Sequence, residues 1–340
     1  MIDTVEDATK AKRAGWLRIA GIVAALGLLV GIVNFATHGN FLQPGNLVNV
    51  LRQISYNTIL ALGQTFVIIT SGIDLSVGSL VAMCGVVMAL FANYCHLSGF
   101  PLVLATLAVG VLVGALAGYV NALPVVKLNI PPFITTLAMM EVALGLAFIF
   151  SHGRPIVLNS DAFSGIGVGS FLQPVTDFLH LPAIPVPVVW MAAMIVGGSI
   201  LLNRTRFGRY VRALGGNEEA ARLAGVGVAR VKTMVYVISG VCAAIVGFLY
   251  MARYTSGSPQ TSTGDELLES IAAVVVGGTS LMGGRGSIVG TFLGALLIGV
   301  LYNSMNLLGV DSYLQKVVLG IVIALAVVGD ELRKRYLSKA

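Results

Sequence analysis

Between Thr70 and Leu80 the chain reads TSGIDLSVGSL. Apolar runs flank it on both sides, ALGQTFVII before and VAMCGVVMALF after. Asp74 therefore stands where a carboxylate without partners is costly. Gly72 and Gly78 beside it permit a break in a helix, and Ser71, Ser76 and Ser79 supply hydroxyls. Which solvent surrounds the segment decides how it folds, and composition answers that.

The chain has 340 residues, of which 56% are hydrophobic and 11% charged, and its mean hydropathy is +0.90. A soluble domain carries roughly 25% charged residues. Apolar runs of about 20 residues, enough to cross a bilayer core as helix, recur along the whole length. They lack the period-2 alternation of barrel strands. The fold class is all-α: a polytopic membrane protein of about ten transmembrane helices, with a broken or re-entrant segment near Ser71–Ser79. Gly, Pro and charge breaks place the spans near 16–36, 52–71, 76–97, 101–121, 131–151, 184–203, 233–253, 266–283, 287–308 and 313–331. All of 1–340 reads as one transmembrane domain.

Cytoplasmic placement of both termini puts 17 of the 21 Lys and Arg on the inside and leaves Arg52, Arg154, Arg253 and Lys316 outside. That bias fixes the expected orientation. Residues 1–15 become a cytoplasmic tail, 204–232 the longest cytoplasmic loop and 152–183 an extracytoplasmic loop. Proline recurs there at Pro155, Pro174 and Pro182, and again at Pro185 and Pro187, as in a rigid docking surface. The first span follows Lys10, Lys12 and Arg13 like a signal sequence, but its apolar run is long and reads as an uncleaved anchor. The sequence pI near 9.3 reflects this topology and anionic lipid, and gives no reason to invoke nucleic acid.

No lysine follows a glycine, so no phosphate-cradling loop of the Gly-Lys-Ser/Thr type exists. Cys84, Cys95 and Cys242 form no metal pattern, nor do His38, His96, His152 and His180. The chain is expected to be no enzyme and to bind no cofactor or metal itself. In the long cytoplasmic loop, Asn217 can cap a short helix whose first turn carries Glu218 and Glu219, and Gly225 can end it. Such a helix either lies at the lipid interface or docks a cytoplasmic partner. Gly110, Gly114 and Gly118 form one small-residue ridge, and Gly286, Gly290 and Gly294 another, for close helix packing. Asp74, Glu141 and Glu269 are the intramembrane acids. Asp74 either caps the helix that follows, contacts substrate, or does both. A second glycine turn, GGTSLMGGRGS at Gly277–Ser287, echoes the first.

Four stretches, ALGQTFVIITSGIDLSVGSL, IPPFITTLAMM, TRFGRYVRALGGNEEAARLAGV and ELLESIAAVVVGGTSLMGGRGSIVGTFLGALLIGVL, resemble the permease subunits of bacterial ATP-binding-cassette importers for monosaccharides, of the ribose, xylose, arabinose and galactose group. The resemblance runs from about Asn46 to Asp330. It implies two permease subunits (a homodimer or a pair with a related paralogue), two cytoplasmic ATPases carrying ATP and magnesium, and a periplasmic sugar-binding protein, all at the bacterial inner membrane. It also assigns ATPase coupling to Gly215, Gly216, Asn217, Glu218, Glu219, Ala220, Ala221, Arg222, Leu223, Ala224 and Gly225.

A sugar path needs hydroxyl partners at membrane depth. Asn57, Gln64, Ser71, Asp74 and Ser76 are candidates in the first half, as are Thr135, Thr136 and Glu141. Glu269, Asn303 and Asn306 are candidates in the second. Some of these are expected to join helices instead. The competing reading is an ion-coupled secondary transporter with Asp74, Glu141 and Glu269 as the relay.

Overall fold

The computed structural model describes residues 2–171, 183–261 and 265–337. The ten expected spans appear as helices, in order, with shifted ends. They are α1 (Ile2–Ala36), α2 (Pro44–Ile69), α3 (Val77–Tyr94), α4 (Gly99–Lys127) and α5 (Pro132–Ser151) in the first half. The second half holds α6 (Val186–Arg204), two helices of the long loop, α7 (Arg206–Gly216) and α8 (Glu218–Leu223), then α9 (Val228–Tyr254), α10 (Asp265–Val276), α11 (Ile288–Leu307) and α12 (Ser312–Leu337). Among the described residues, eight helices are long and apolar enough to cross a membrane.

The two spans outside that eight differ for different reasons. Helix α2 has the length, but Arg52, Asn57, Gln64 and Thr65 lower its apolarity. Every residue from Ile54 to Ile69 is buried in protein, so lipid does not set its composition. Helix α10 corrects the expected span 266–283: its 12 residues rise only about 18 Å, against a hydrocarbon core of about 30 Å. The chain leaves helical geometry at Gly277 and resumes it at Ile288. Helix α1 begins at Ile2 and so includes the segment expected as the N-terminal tail.

At the centre, 72% of the apolar window of both α3 and α9 is buried, against 6% for that of α1 and 11% for that of α12. Helix α9 packs along α4, α3 and α2, while α10 and α11 pack on one another and on α2. The first glycine ridge explains the close fit of α4 on α9. A Cβ on Gly114 would strike the Gly240 carbonyl, and one on Gly118 the Tyr236 carbonyl. The second ridge serves α10 and α11, where Gly290 faces the Gly277 carbonyl and Gly294 the Ala273 carbonyl. Cys84, Cys95 and Cys242 are free thiols.

The two ends of the bundle differ. One, the basic end, carries α7, α8 and the Lys127 end of α4. The opposite end carries short antiparallel pairs, Ile156–Val157 with Ser256–Gly257 and Ser170–Phe171 with Ile184–Pro185. Phe163 there packs edge-on against Phe248, at 6.3 Å between ring centroids. Of the proposed docking loop 152–183, residues 172–182 lie outside the described residues.

Candidate functional site

The break between α2 and α3 spans Thr70–Ser76. The left-handed residue that turns the chain is Ser71, at φ 62°, whereas Gly78 lies inside α3. Gly72 is small for a different reason: a Cβ there would stand 2.6 Å from the Tyr236 hydroxyl. Asp74 is fully buried. Its Oδ1 accepts from the Ser76 amide at 3.0 Å and from Ser76 Oγ at 2.6 Å, and Oδ2 accepts from Ser239 Oγ of α9 at 2.7 Å. The carboxylate thus secures the residue before α3 rather than the amides inside its first turn.

Other helices close the rest of the break. Asn121 of α4 donates to Ser76 Oγ at 2.9 Å, and Gln64 of α2 to the Asp74 carbonyl. The Thr136 hydroxyl of α5 bridges the Ile73 carbonyl and the Leu75 amide, each at 3.1 Å. Four helices therefore converge on seven residues. Irregular backbone at membrane depth is tolerated where protein buries and satisfies it in this way.

The second break, Gly277–Ser287, meets the first. Ser71 Oγ donates to the Met282 carbonyl and the Gly284 amide to the Ile69 carbonyl, both at 2.8 Å. The end of α7 enters the same junction. A Cβ on Gly215 would fall on the Ile69 carbonyl oxygen and within 2.5 Å of the Gly284 nitrogen. Gly283 and Gly284, at φ +85° and +75°, make the turn that admits it. Residues 69–71, 215–216 and 282–284 form one backbone junction.

From that junction the chain runs directly into α8. Asn217 Oδ1 accepts from the Ala220 amide at 2.9 Å, and Gly225 at φ +81° ends the helix. Glu218 pairs with Arg222 at 3.2 Å and with Lys232 of α9 at 2.7 Å, fixing α8 to the bundle. Ala221 is the buried residue; Glu219, Ala220 and Ala224 are exposed, and Leu223 is 85% exposed. Helix α7 was not expected from sequence. Thr205 caps it by accepting from the Gly208 amide, and Val211 and Leu214 bury its inner face.

A separate polar group lies toward the opposite end, between α2, α9 and α10. Asn57 Nδ2 reaches Glu269 Oε2 at 3.4 Å. Tyr56 stacks on Tyr250 at 4.5 Å and Tyr250 on Tyr254 at 5.8 Å, with the Arg253 guanidinium 6.0 Å from the Tyr254 centroid.

The remaining expected residues fall elsewhere. Asn303 exchanges two hydrogen bonds with Asn46, each 2.9 Å, and Asn306 accepts from Gln315 at 2.8 Å, so both join helices. Thr135 donates back to the Pro132 carbonyl at 2.9 Å. Glu141 is exposed on α5. Asp74, Glu141 and Glu269 thus stand in three different settings, and Asp74 bonds to neither of the others. Sequence reading missed Ser239, Asn121 and the tyrosines. The signal for the first two was a polar residue alone in an apolar run; nothing marked their partner, since Ser239 is 165 positions from Asp74.

The sequence model of a family described as "Branched-chain amino acid transport system / permease component" matches residues 46–327. The ribose import permease proteins of Escherichia coli strain K12 and Bacillus subtilis strain 168 are each 42% identical, over 93% of this chain and 94% of their own. The L-arabinose transport system permease protein of Escherichia coli K12 is 37% identical over 94% of this chain and 89% of its own. The xylose transport system permease protein of the same strain is 34% identical over 94% and 93%. No solved structure matches. A bundle with eight apolar crossings, two apposed helix breaks and a family match over most of its length is an integral membrane protein, and the chain belongs to this family of transport-system permease components.

Proposed function

We propose that the chain is the translocation subunit of an ATP-driven importer that carries a ribose-like monosaccharide, pentose or hexose, across the bacterial inner membrane. The relatives' names supply the sugar class; the family description alone would point to amino acids. The observation that carries the division of labour is α8. A two-turn helix capped at both ends, pinned by Glu218 to Lys232, presents Leu223 outward. An exposed apolar side chain on a rigid perch fits docking of a cytoplasmic ATPase better than an interfacial rest, which would lay that face in lipid.

On this reading the basic end is cytoplasmic, both termini included, and the opposite end meets a periplasmic sugar-binding protein. ATP and magnesium belong to the ATPase, and this chain performs no chemistry itself. A second permease, the same chain or a paralogue, covers the exposed face of α5, where Glu141 would otherwise meet lipid at a cost of about 2.5–3.5 kcal/mol or more. Asn57, Glu269, Glu141 and Ser71 then line the path, while Gln64, Asp74, Ser76, Thr135, Thr136, Asn303 and Asn306 chiefly hold helices. Proteoliposomes test this. Sugar uptake should require internal ATP and the partner ATPase and persist when ion gradients collapse, and Leu223→Lys should abolish it while leaving folding intact. Uptake driven by an ion gradient without ATP would refute the proposal.

A further inference from the structure

The tyrosines of α2 and α9 form a row whose exposure falls with depth. Tyr254 is 57% exposed, Tyr250 half-buried and Tyr56 5% exposed. Their rings lie near parallel, with interplanar angles of 20° and 22°. At the buried end of the row, three polar atoms are shut away from solvent without a hydrogen-bond partner: Tyr56 Oη, Asn57 Oδ1 and Arg52 Nε. All three sit on α2 within six residues. The Arg253 guanidinium lies beside the Tyr56 hydroxyl. Buried polar groups are ordinarily paired, and leaving one unpaired costs about 1–3 kcal/mol.

The chemistry around these atoms selects the ligand. Arg52 and Arg253 stand near Tyr56, while Glu266 and Glu269 stand near Tyr250. An anion would meet the two carboxylates and a cation the two guanidiniums, so neither is favoured. A neutral molecule rich in hydroxyls matches both sets, because each hydroxyl donates once and accepts from others. Its C–H faces also suit a wall of aromatic rings with a few placed polar groups. We propose that Arg52, Tyr56 and Asn57, reached along the Tyr254–Tyr250 row, form a sugar subsite at the end of the bundle opposite α8. It rests on the importer reading and names where the incoming monosaccharide is first held by this chain. The row continues to the exposed surface, which supplies a route inward from that end.

The test is uptake by the reconstituted full complex of D-ribose, L-arabinose, D-xylose and the 2-, 3- and 5-deoxy analogues of ribose. Tyr56→Phe removes one oxygen and leaves the stack in place. It should fold and assemble with its partner subunits, yet lower kcat/KM for the intact pentoses about tenfold, the equivalent of one hydrogen bond. For the deoxy analogue that lacks the hydroxyl facing Tyr56, variant and wild type should converge. Tyr254→Leu should raise KM with little change in kcat. Equal uptake by Tyr56→Phe and wild type for every sugar overturns the subsite, as does the same fractional loss for every sugar, deoxy analogues included. Omitting ATP checks the importer reading separately: uptake that persists on an ion gradient overturns that reading, and the Tyr56→Phe comparison still judges the subsite. A wild type that moves none of these sugars overturns both.

Discussion

Two buried polar clusters lie at different depths of this bundle, and they are built on different rules. Around Asp74, four helices close a seven-residue break, and the carboxylate receives three donors. Around Tyr56, three polar atoms have none. Unpaired atoms occur near Asp74 as well, namely Gln64 Oε1, Asn121 Oδ1 and Tyr236 Oη. No exposed aromatic row leads to them, and Gln64 and Asn121 each already make one bond to the break. The contrast lies in the connection to solvent. A sealed polar cluster holds backbone, whereas one continuous with the surface can take a ligand.

Substitutions at the two clusters should therefore separate stability from transport. The largest effect is expected for Asp74→Leu, which strands three buried donors at about 1–3 kcal/mol each. No monodisperse protein should be recovered from detergent, and a wild-type melting temperature would break the contrast outright. Gly215→Ala comes next. Its methyl group meets backbone at the three-way junction, so about 1–3 kcal/mol of overpacking is expected, together with weaker stimulation of the ATPase by sugar. Ser239→Ala leaves Asp74 Oδ2 without its donor, with an expected loss of about 1–2 kcal/mol. Asp74→Asn should be milder, under about 1 kcal/mol. Its Oδ1 keeps both bonds to Ser76, and its Nδ2 donates to a Ser239 hydroxyl turned to accept. Thermal melting of the purified complex orders these variants. Smallest of all is Tyr56→Phe, within about 0.5 kcal/mol of wild type, because it removes a hydroxyl that makes no hydrogen bond of normal geometry. A melting temperature lowered as far as in Ser239→Ala would make the two clusters alike.

Much of the architecture was readable from one chain. The ten helices appear in the expected order because each long apolar run has only one way to satisfy its backbone in lipid. The break at Asp74 was readable too, since a carboxylate beside small residues interrupts such a run. The cap and stop of α8 followed from Asn217 and Gly225, whose side-chain and backbone preferences act locally. The error at 266–283 has a physical cause: hydropathy counts apolar residues but is blind to Gly277, Gly278, Gly283 and Gly284 turning the chain back on itself. Helix α7 was missed because arginines and glycines on a short segment hide the three buried positions that define its inner face.

What the sequence determined by itself, then, was solvent, the order of the apolar helices, family resemblance and most of the places where those helices stop. Those properties depend on neighbours a few positions apart. Tertiary structure alone decided what the stops are for. Ser239 and Asn121 find the first break, Gly215 and Gly284 close on Ile69, and Tyr56 meets Tyr250 and Tyr254. Each of these contacts joins residues tens to hundreds of positions apart. Polarity in a sequence shows that a group needs a partner, and only the packing of helices determines whether the protein provides it.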